Sequence, residues 1–346
     1  MKFLVSMLFL VSSLLSQILL ASEYQYSDND YLSQDIIRKS ISDTLEVLNK
    51  VYVYPDKAKE IQREITKRMH KGSYDNIETK EEFRSRITAD LRAVSKDGHL
   101  SIMLVKEDKD EPTHIRKETV DERKYNFAFQ KVEVLGGNIG YMKINKFYQD
   151  DEAKLTVDHA FGFLGNTDAM IFDLRDCIGG SPELAKYILS YFFKEKTILS
   201  SIHDREDKST YDLVSIEGVG DRRFKSNYPL FILIGPDTAS AAEFFSYTLK
   251  HFGKATIVGK NSQGIAHLVG AENINQYFYG RFSIARPVNP ITKDSWEGAG
   301  VIPDIATNIE KSLEVAHSEA LKSLEVSMSK TNLTKSSKAT PKSGAL

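Results

Sequence analysis

The chain has 346 residues, 41% of them hydrophobic and 27% charged, with a net charge of −2. That leaves room for about two domains and a sizeable core. The near-balanced charge, with no lysine/arginine stripe interleaved with aromatics, excludes a nucleic-acid footprint. A single cysteine, Cys177, excludes an intramolecular disulfide, so the fold rests on its own packing.

Residues 1–22 read as a signal peptide. Lys2 supplies the positive start, residues 3–20 are apolar apart from a few serines and a glutamine, and Ala21-Ser22 offers a small-residue cleavage point. The apolar run approaches spanning length, so an uncleaved anchor is the competing reading. Membrane contact is expected only through this segment. The remainder is expected outside the cytoplasm, periplasmic or secreted.

Residues 23–105 are expected to form a helical domain. Ile37, Ile41, Leu45 and Leu48 make one stripe at helical spacing, Ile61, Ile65 and Met69 a second, and Phe83, Ile87, Leu91 and Val94 a third. Thr79-Lys-Glu-Glu82 opens the third as a capping box. Residues 106–124 are charged and contain proline, which marks a linker.

The core is expected over residues 125–312. Stretches 125–135 and 139–147 flank Gly136-Gly-Asn138, a hairpin signal. A helix over 151–164 leads to an apolar strand over 169–174. Ser181-Pro182 then starts a further helix as cap and first residue. Residues 200–228 are polar and irregular, a hairpin or lid. Strands follow at 230–235, 255–259 and 276–286. A helix is expected over 313–329 and a disordered, Ser/Thr/Lys-rich tail over 330–346. Strands alternating with helices indicate an α/β class with a partly parallel sheet.

Four segments could carry chemistry. In Phe231-Ile-Leu-Ile-Gly-Pro-Asp-Thr-Ala-Ser-Ala-Ala-Glu243 an apolar strand turns into a helix with Ser240 at the junction. A hydroxyl there sits in the positive field of unpaired N–H groups, as a nucleophile would. With Glu243 three residues on it is equally shaped as a capping box. His99, in Asp97-Gly-His-Leu100, is a candidate base, histidine being the commonest. In the run from Asp173 to Pro182, Gly179 and Gly180 let the backbone approach a ligand with its N–H groups outward. Glu297, in Trp296-Glu-Gly-Ala-Gly-Val-Ile-Pro-Asp304, could orient a histidine. No phosphate-loop lysine, dinucleotide glycine pattern or Cys/His cluster is present, so no cofactor and no metal are expected.

These segments, in this order, resemble the carboxyl-terminal processing (tail-specific) serine peptidase superfamily. The similarity is to its PDZ-less branch of tricorn core-like peptidases and interphotoreceptor retinoid-binding protein modules. The resemblance implies a crotonase/ClpP-like α/β spiral core preceded by a small helical bundle, acting on peptides or unfolded proteins. It implies Ser240 as nucleophile, His99 as base, Glu297 as its orienting acid, and an oxyanion hole from Gly179, Gly180 and Ala241. The lysine base of better-known members is replaced by Ile265 in Ser262-Gln-Gly-Ile-Ala-His267, which makes His267 the alternative base. Cys177 and Ile178 stand before the glycine pair, where an asparagine and a further glycine are usual. The retinoid-binding relatives keep a second reading open, a non-catalytic module for an apolar ligand. The oligomeric state is left open.

Overall fold

The computed structural model describes residues 30–105, 121–205, 209–220, 224 and 228–338. The expected signal segment, residues 1–22, and residues 106–120 of the expected linker lie outside the described residues.

The apolar stripes become three helices. α1 (Gln34–Val51) starts at Ser33, whose side chain accepts from the Ile36 N–H, and buries Ile37, Ile41, Leu45 and Leu48. α2 (Pro55–His70) has proline in its first turn, where the missing N–H costs nothing. α3 (Lys80–Ser95) opens with the full Thr79/Glu82 capping box. The three helices pack on β1 (Ser101–Leu104) and on the far-downstream β10 (Phe278–Val288), which pairs with it antiparallel. Phe83 stacks on Phe278 at 4.4 Å between ring centres. The helical region therefore shares its core with a strand from the other side of the 105/125 boundary.

The hairpin forms as β2 (Phe129–Leu135) and β3 (Ile139–Ile144). β2 begins at Phe129 rather than at 125, because Asn126, Phe127 and Ala128 all hold positive φ, which ends extended pairing. β4 (Ala169–Asp173), β7 (Leu230–Ile234), β8 (Thr256–Gly259) and β11 (Ile305–Ala306) complete a six-stranded sheet ordered β11-β8-β7-β4-β3-β2. All its neighbours are parallel except β2 with β3. β4 and β7 are buried throughout, which explains their unbroken apolar sequence. α4 (Glu152–Phe163), α5 (Pro182–Leu189) and α6 (Ala241–His251) contribute to the main core on one face. α7 (Ser312–Lys338) covers the other with Ala316 and Ala320. It runs past residue 330, where the disordered tail is expected to start; residues 339–346 lie outside the described residues.

A second sheet is ordered β1-β10-β5 (Ile198–Asp204)-β6 (Ser209–Val214), with β9 (Leu268–Asn273) also on β10. The polar stretch after 200 is thus a hairpin of β5 and β6. The expected features are present: a mixed α/β core with N-terminal helices ahead of it. Among the described residues no helix is long and apolar enough to cross a membrane.

Candidate active site

Ser240 lies where β7 turns into α6, with φ +51° and ψ −115°. An ordinary cap is extended, as Ser33 (−70°, 155°), Thr79 (−119°, 158°) and Ser181 (−72°, 119°) are in this same chain. A positive φ on a residue with a Cβ costs about 1–3 kcal/mol and persists only where its surroundings enforce it. Here they do. The Ser240 N–H donates to Glu243 Oε2 at 2.8 Å. Glu243 is fully buried and also accepts from Ser262 Oγ (2.6 Å), Gly264 N (2.6 Å) and Ile265 N (3.0 Å). Burial raises its carboxyl above the usual range against the pull of these donors. On the other side, Ala239 N donates to Cys177 O (3.0 Å) and Thr238 Oγ1 to Leu174 O (2.7 Å).

The glycine loop presses on this serine. A Cβ at Gly179 (φ +89°) would sit 2.6 Å from Ala239 O, 2.7 Å from Ser240 Cβ and 2.9 Å from Ala241 N. One at Gly180 (φ +125°) would sit 2.1 Å from Phe147 O. Only glycine fits either place. Among the described residues the Gly180 and Ala241 N–H groups donate to no acceptor, so both remain available to a ligand. Cys177 is fully buried and its thiol is pushed up to about 12 by that burial, so it is inert at neutral pH. Ile178 stands exposed beside the loop.

A buried histidine–carboxylate cluster forms the second half. Asp97 follows α3, and its Oδ1 accepts the His99 N–H at 2.9 Å. Its Oδ2 accepts from Ser283 Oγ (2.6 Å) on β10 and Tyr52 OH (3.1 Å), and lies 3.3 Å from His267 Nδ1. Burial would push this carboxyl up, but the hydrogen bonds from His267, His99 and Ser283 outweigh it and hold it well below the usual carboxylate range. His267 Nδ1 is also 3.5 Å from Glu297 Oε2, and His267 Nε2 is 3.3 Å from Tyr54 OH. His99 Nδ1 is buried 3.6 Å from Asp97 Oδ1 and has no hydrogen-bond partner among the described residues. Glu297 Oε2 accepts from the Ala266 N–H at 2.6 Å, and burial raises its carboxyl.

The expected site residues thus fall into two groups. Ser240, Gly179, Gly180 and Ala241 form one; His99, His267 and Glu297 meet in the other. The 262–267 segment ties them together, held by Glu243 at one end and supplying His267 at the other. Ile265, in the place of the lysine, packs on Gly98, whose Cβ would lie 3.1 Å from Ile265 Cγ2. Glu297, expected beside His99, has its carboxylate at His267 and Ala266. Among the described residues no hydrogen bond or ion pair joins it to His99, and none joins Ser240 to either histidine. The carboxylate that meets His99 is Asp97, which sequence reasoning did not single out. Its signal was local, an acid accepting the N–H two residues on in an Asx-type turn. Tyr54, which meets His267, gave no such signal.

The fold thus brings together a serine on an enforced strand-to-helix turn and, through the 262–267 segment, a histidine–carboxylate cluster. The model of peptidase family S41 matches residues 138–307. That of the N-terminal domain of peptidase S41 in eukaryotic interphotoreceptor retinoid-binding protein matches residues 33–132. The chain belongs to peptidase family S41. It is 27% identical over 168 residues to carboxyl-terminal-processing peptidase 2, chloroplastic, of Arabidopsis thaliana, covering 48% of this chain and 31% of that one. It is 25% identical over 193 residues to a carboxyl-terminal-processing protease of Picosynechococcus sp., covering 55% and 44%. The chain therefore spans less than half the length of these relatives. The fold is shared with the photosystem II D1 C-terminal processing protease (TM-score 0.53, 13% identity, 84% of this chain and 99% of that one). It is also shared with a Parabacteroides merdae protein (TM-score 0.59, 18% identity, 82% and 96%).

Proposed function

We propose that this chain is an extracytoplasmic serine peptidase that cleaves peptides or unfolded proteins through Ser240. The observation that carries the reading is the Ser240 backbone, which departs from every ordinary cap in the chain and is enforced by Glu243 and Gly179. Ser240 Oγ attacks the peptide carbonyl, and His99 takes its proton and later returns it to the leaving amine. His99 rather than His267 is the base, because both His267 ring nitrogens already face partners, Asp97 and Glu297 on one and Tyr54 on the other. Asp97 faces His99 Nδ1 and leaves Nε2 for the serine proton; catalytic hydrogen bonds are often long before substrate binds. Glu297 adds negative charge near both imidazoles and fixes the 266–267 backbone. The N–H groups of Gly180 and Ala241, with Gly179 shaping the pocket, receive the oxyanion, and the positive end of α6 adds to their field.

A fluorophosphonate probe is expected to label the wild-type protein on Ser240, mapped by mass spectrometry, and not to label Ser240→Ala. A wild-type protein that stays unlabelled, or is labelled on another residue, overturns the assignment. Gly179→Ala offers an independent check. Its methyl group needs space held by Ala239 O and the Ser240 backbone, so the nucleophile must shift. A misplacement of this size is expected to lower kcat by about 100-fold or more. A variant that folds and cleaves a fluorogenic peptide at the wild-type rate would mean that the loop does not set the serine geometry.

A further inference from the structure

We propose that Asp97, His99 and His267, with Glu297 completing the set, form a zinc-binding site whose occupation switches the peptidase off. Zinc holds nitrogen and oxygen donors at about 2.0–2.2 Å in a tetrahedron, which places neighbouring donors about 3.3–3.6 Å apart. His267 Nδ1 lies 3.3 Å from Asp97 Oδ2 and 3.5 Å from Glu297 Oε2, and His99 Nδ1 lies 3.6 Å from Asp97 Oδ1. One donor atom from each of Asp97, His99 and His267 lies within 4.8 Å of the others, so a modest contraction closes these three, and Glu297 reaches them through its approach to His267 Nδ1. Beyond its 3.6 Å approach to Asp97 Oδ1, the buried His99 Nδ1 makes no hydrogen bond among the described residues.

The outer contacts are those of a ligating set. Tyr54 OH meets the far nitrogen of His267, and Ser283 Oγ and Tyr52 OH fix the Asp97 carboxylate. Two imidazoles with carboxylates favour zinc over magnesium or calcium, which prefer oxygen alone. The consequence for catalysis follows from the tautomer. A neutral imidazole that binds metal through Nδ1 carries its proton on Nε2. His99 could then donate to Ser240 but not accept its proton, and the general base is lost.

The switching half of this inference rests on the peptidase reading; the binding half does not. Metal-stripped Ser240→Ala protein, titrated with zinc chloride in a calorimeter, is expected to bind one zinc per chain and to give no heat with magnesium. His99→Ala and His267→Ala, each in that background, are expected to weaken binding by about 100-fold or more, since even outer-shell changes cost 10–100-fold. Zinc-edge X-ray absorption of the zinc-loaded wild type is expected to show two imidazoles, and this holds the test open if a histidine variant fails to fold. Absence of binding, binding indifferent to both substitutions, or a shell with fewer than two imidazoles overturns the site. In the wild type, zinc is expected to stop fluorophosphonate labelling of Ser240 and a chelator to restore it. Zinc binding through both histidines with labelling undiminished overturns the switch alone. A wild type that never labels counts against the peptidase reading and leaves the calorimetric test of the site to stand by itself.

Discussion

Replacing His99 by alanine is expected to lower kcat/KM for a peptide substrate by about 10⁴-fold or more, whereas His267→Ala costs about 100-fold or less. The asymmetry follows from what each ring has left to give. His99 Nδ1 faces Asp97 at 3.6 Å, and among the described residues no hydrogen bond engages the ring. His267 stands between Asp97 and Glu297 on Nδ1 and Tyr54 on Nε2, with the Tyr54 ring edge-on at 5.4 Å. Removing it disturbs the carboxylates but takes away no base. Steady-state kinetics on variants shown to be folded by circular dichroism decide the matter. A larger loss in His267→Ala than in His99→Ala would transfer the base role to His267.

What could be read from the sequence was what is local. The Thr79 cap, the Gly136-Gly137-Asn138 hairpin and the Ser181-Pro182 helix start each depend on residues within a few positions, and each formed as expected. Ser240 was visible as a junction residue, but its two readings share one local pattern. They separate only in φ and ψ, which depend on Glu243 meeting Gly264 and Ile265 and on Gly179 pressing from another loop. The histidine cluster was the least legible part. Asp97 and His267 are 170 positions apart, and no periodicity links them. They meet because β10 carries Ser283 against Asp97 while pairing with both β1 and β9. β9 itself has no fully buried position, being half-buried over 268–270 and at Glu272 and exposed at Ala271 and Asn273, and it contains a glycine, which gives little strand signal. The absence of a Cys/His cluster in the sequence was therefore no guide to the cluster that folding builds.

Asp97→Asn is the variant expected to strike stability and catalysis together. The carboxylate is almost wholly buried and faces Ser283, Tyr52, the His99 N–H and His267. An amide offers one acceptor oxygen and turns an NH₂ toward groups placed to donate. The expected cost is about 3 kcal/mol near neutral pH, read from urea unfolding. The pH dependence has a definite sign. The native pKa of Asp97 is depressed, so its contribution is complete above the unfolded value of about 3.9 and is lost as pH falls toward the native value. The gap between wild type and variant should therefore narrow by about 1 kcal/mol between about pH 5 and about pH 3. A gap that widens over that interval would mean that Asp97 is held neutral in the folded protein. Under the proposed mechanism Asp97 is a positioning residue acting through His99. Its loss should lower kcat by about 10³–10⁴-fold, as loss of a tautomer-fixing carboxylate does, with little change in KM. A rise in KM at constant kcat would instead place Asp97 in substrate binding and return the orienting role to Glu297.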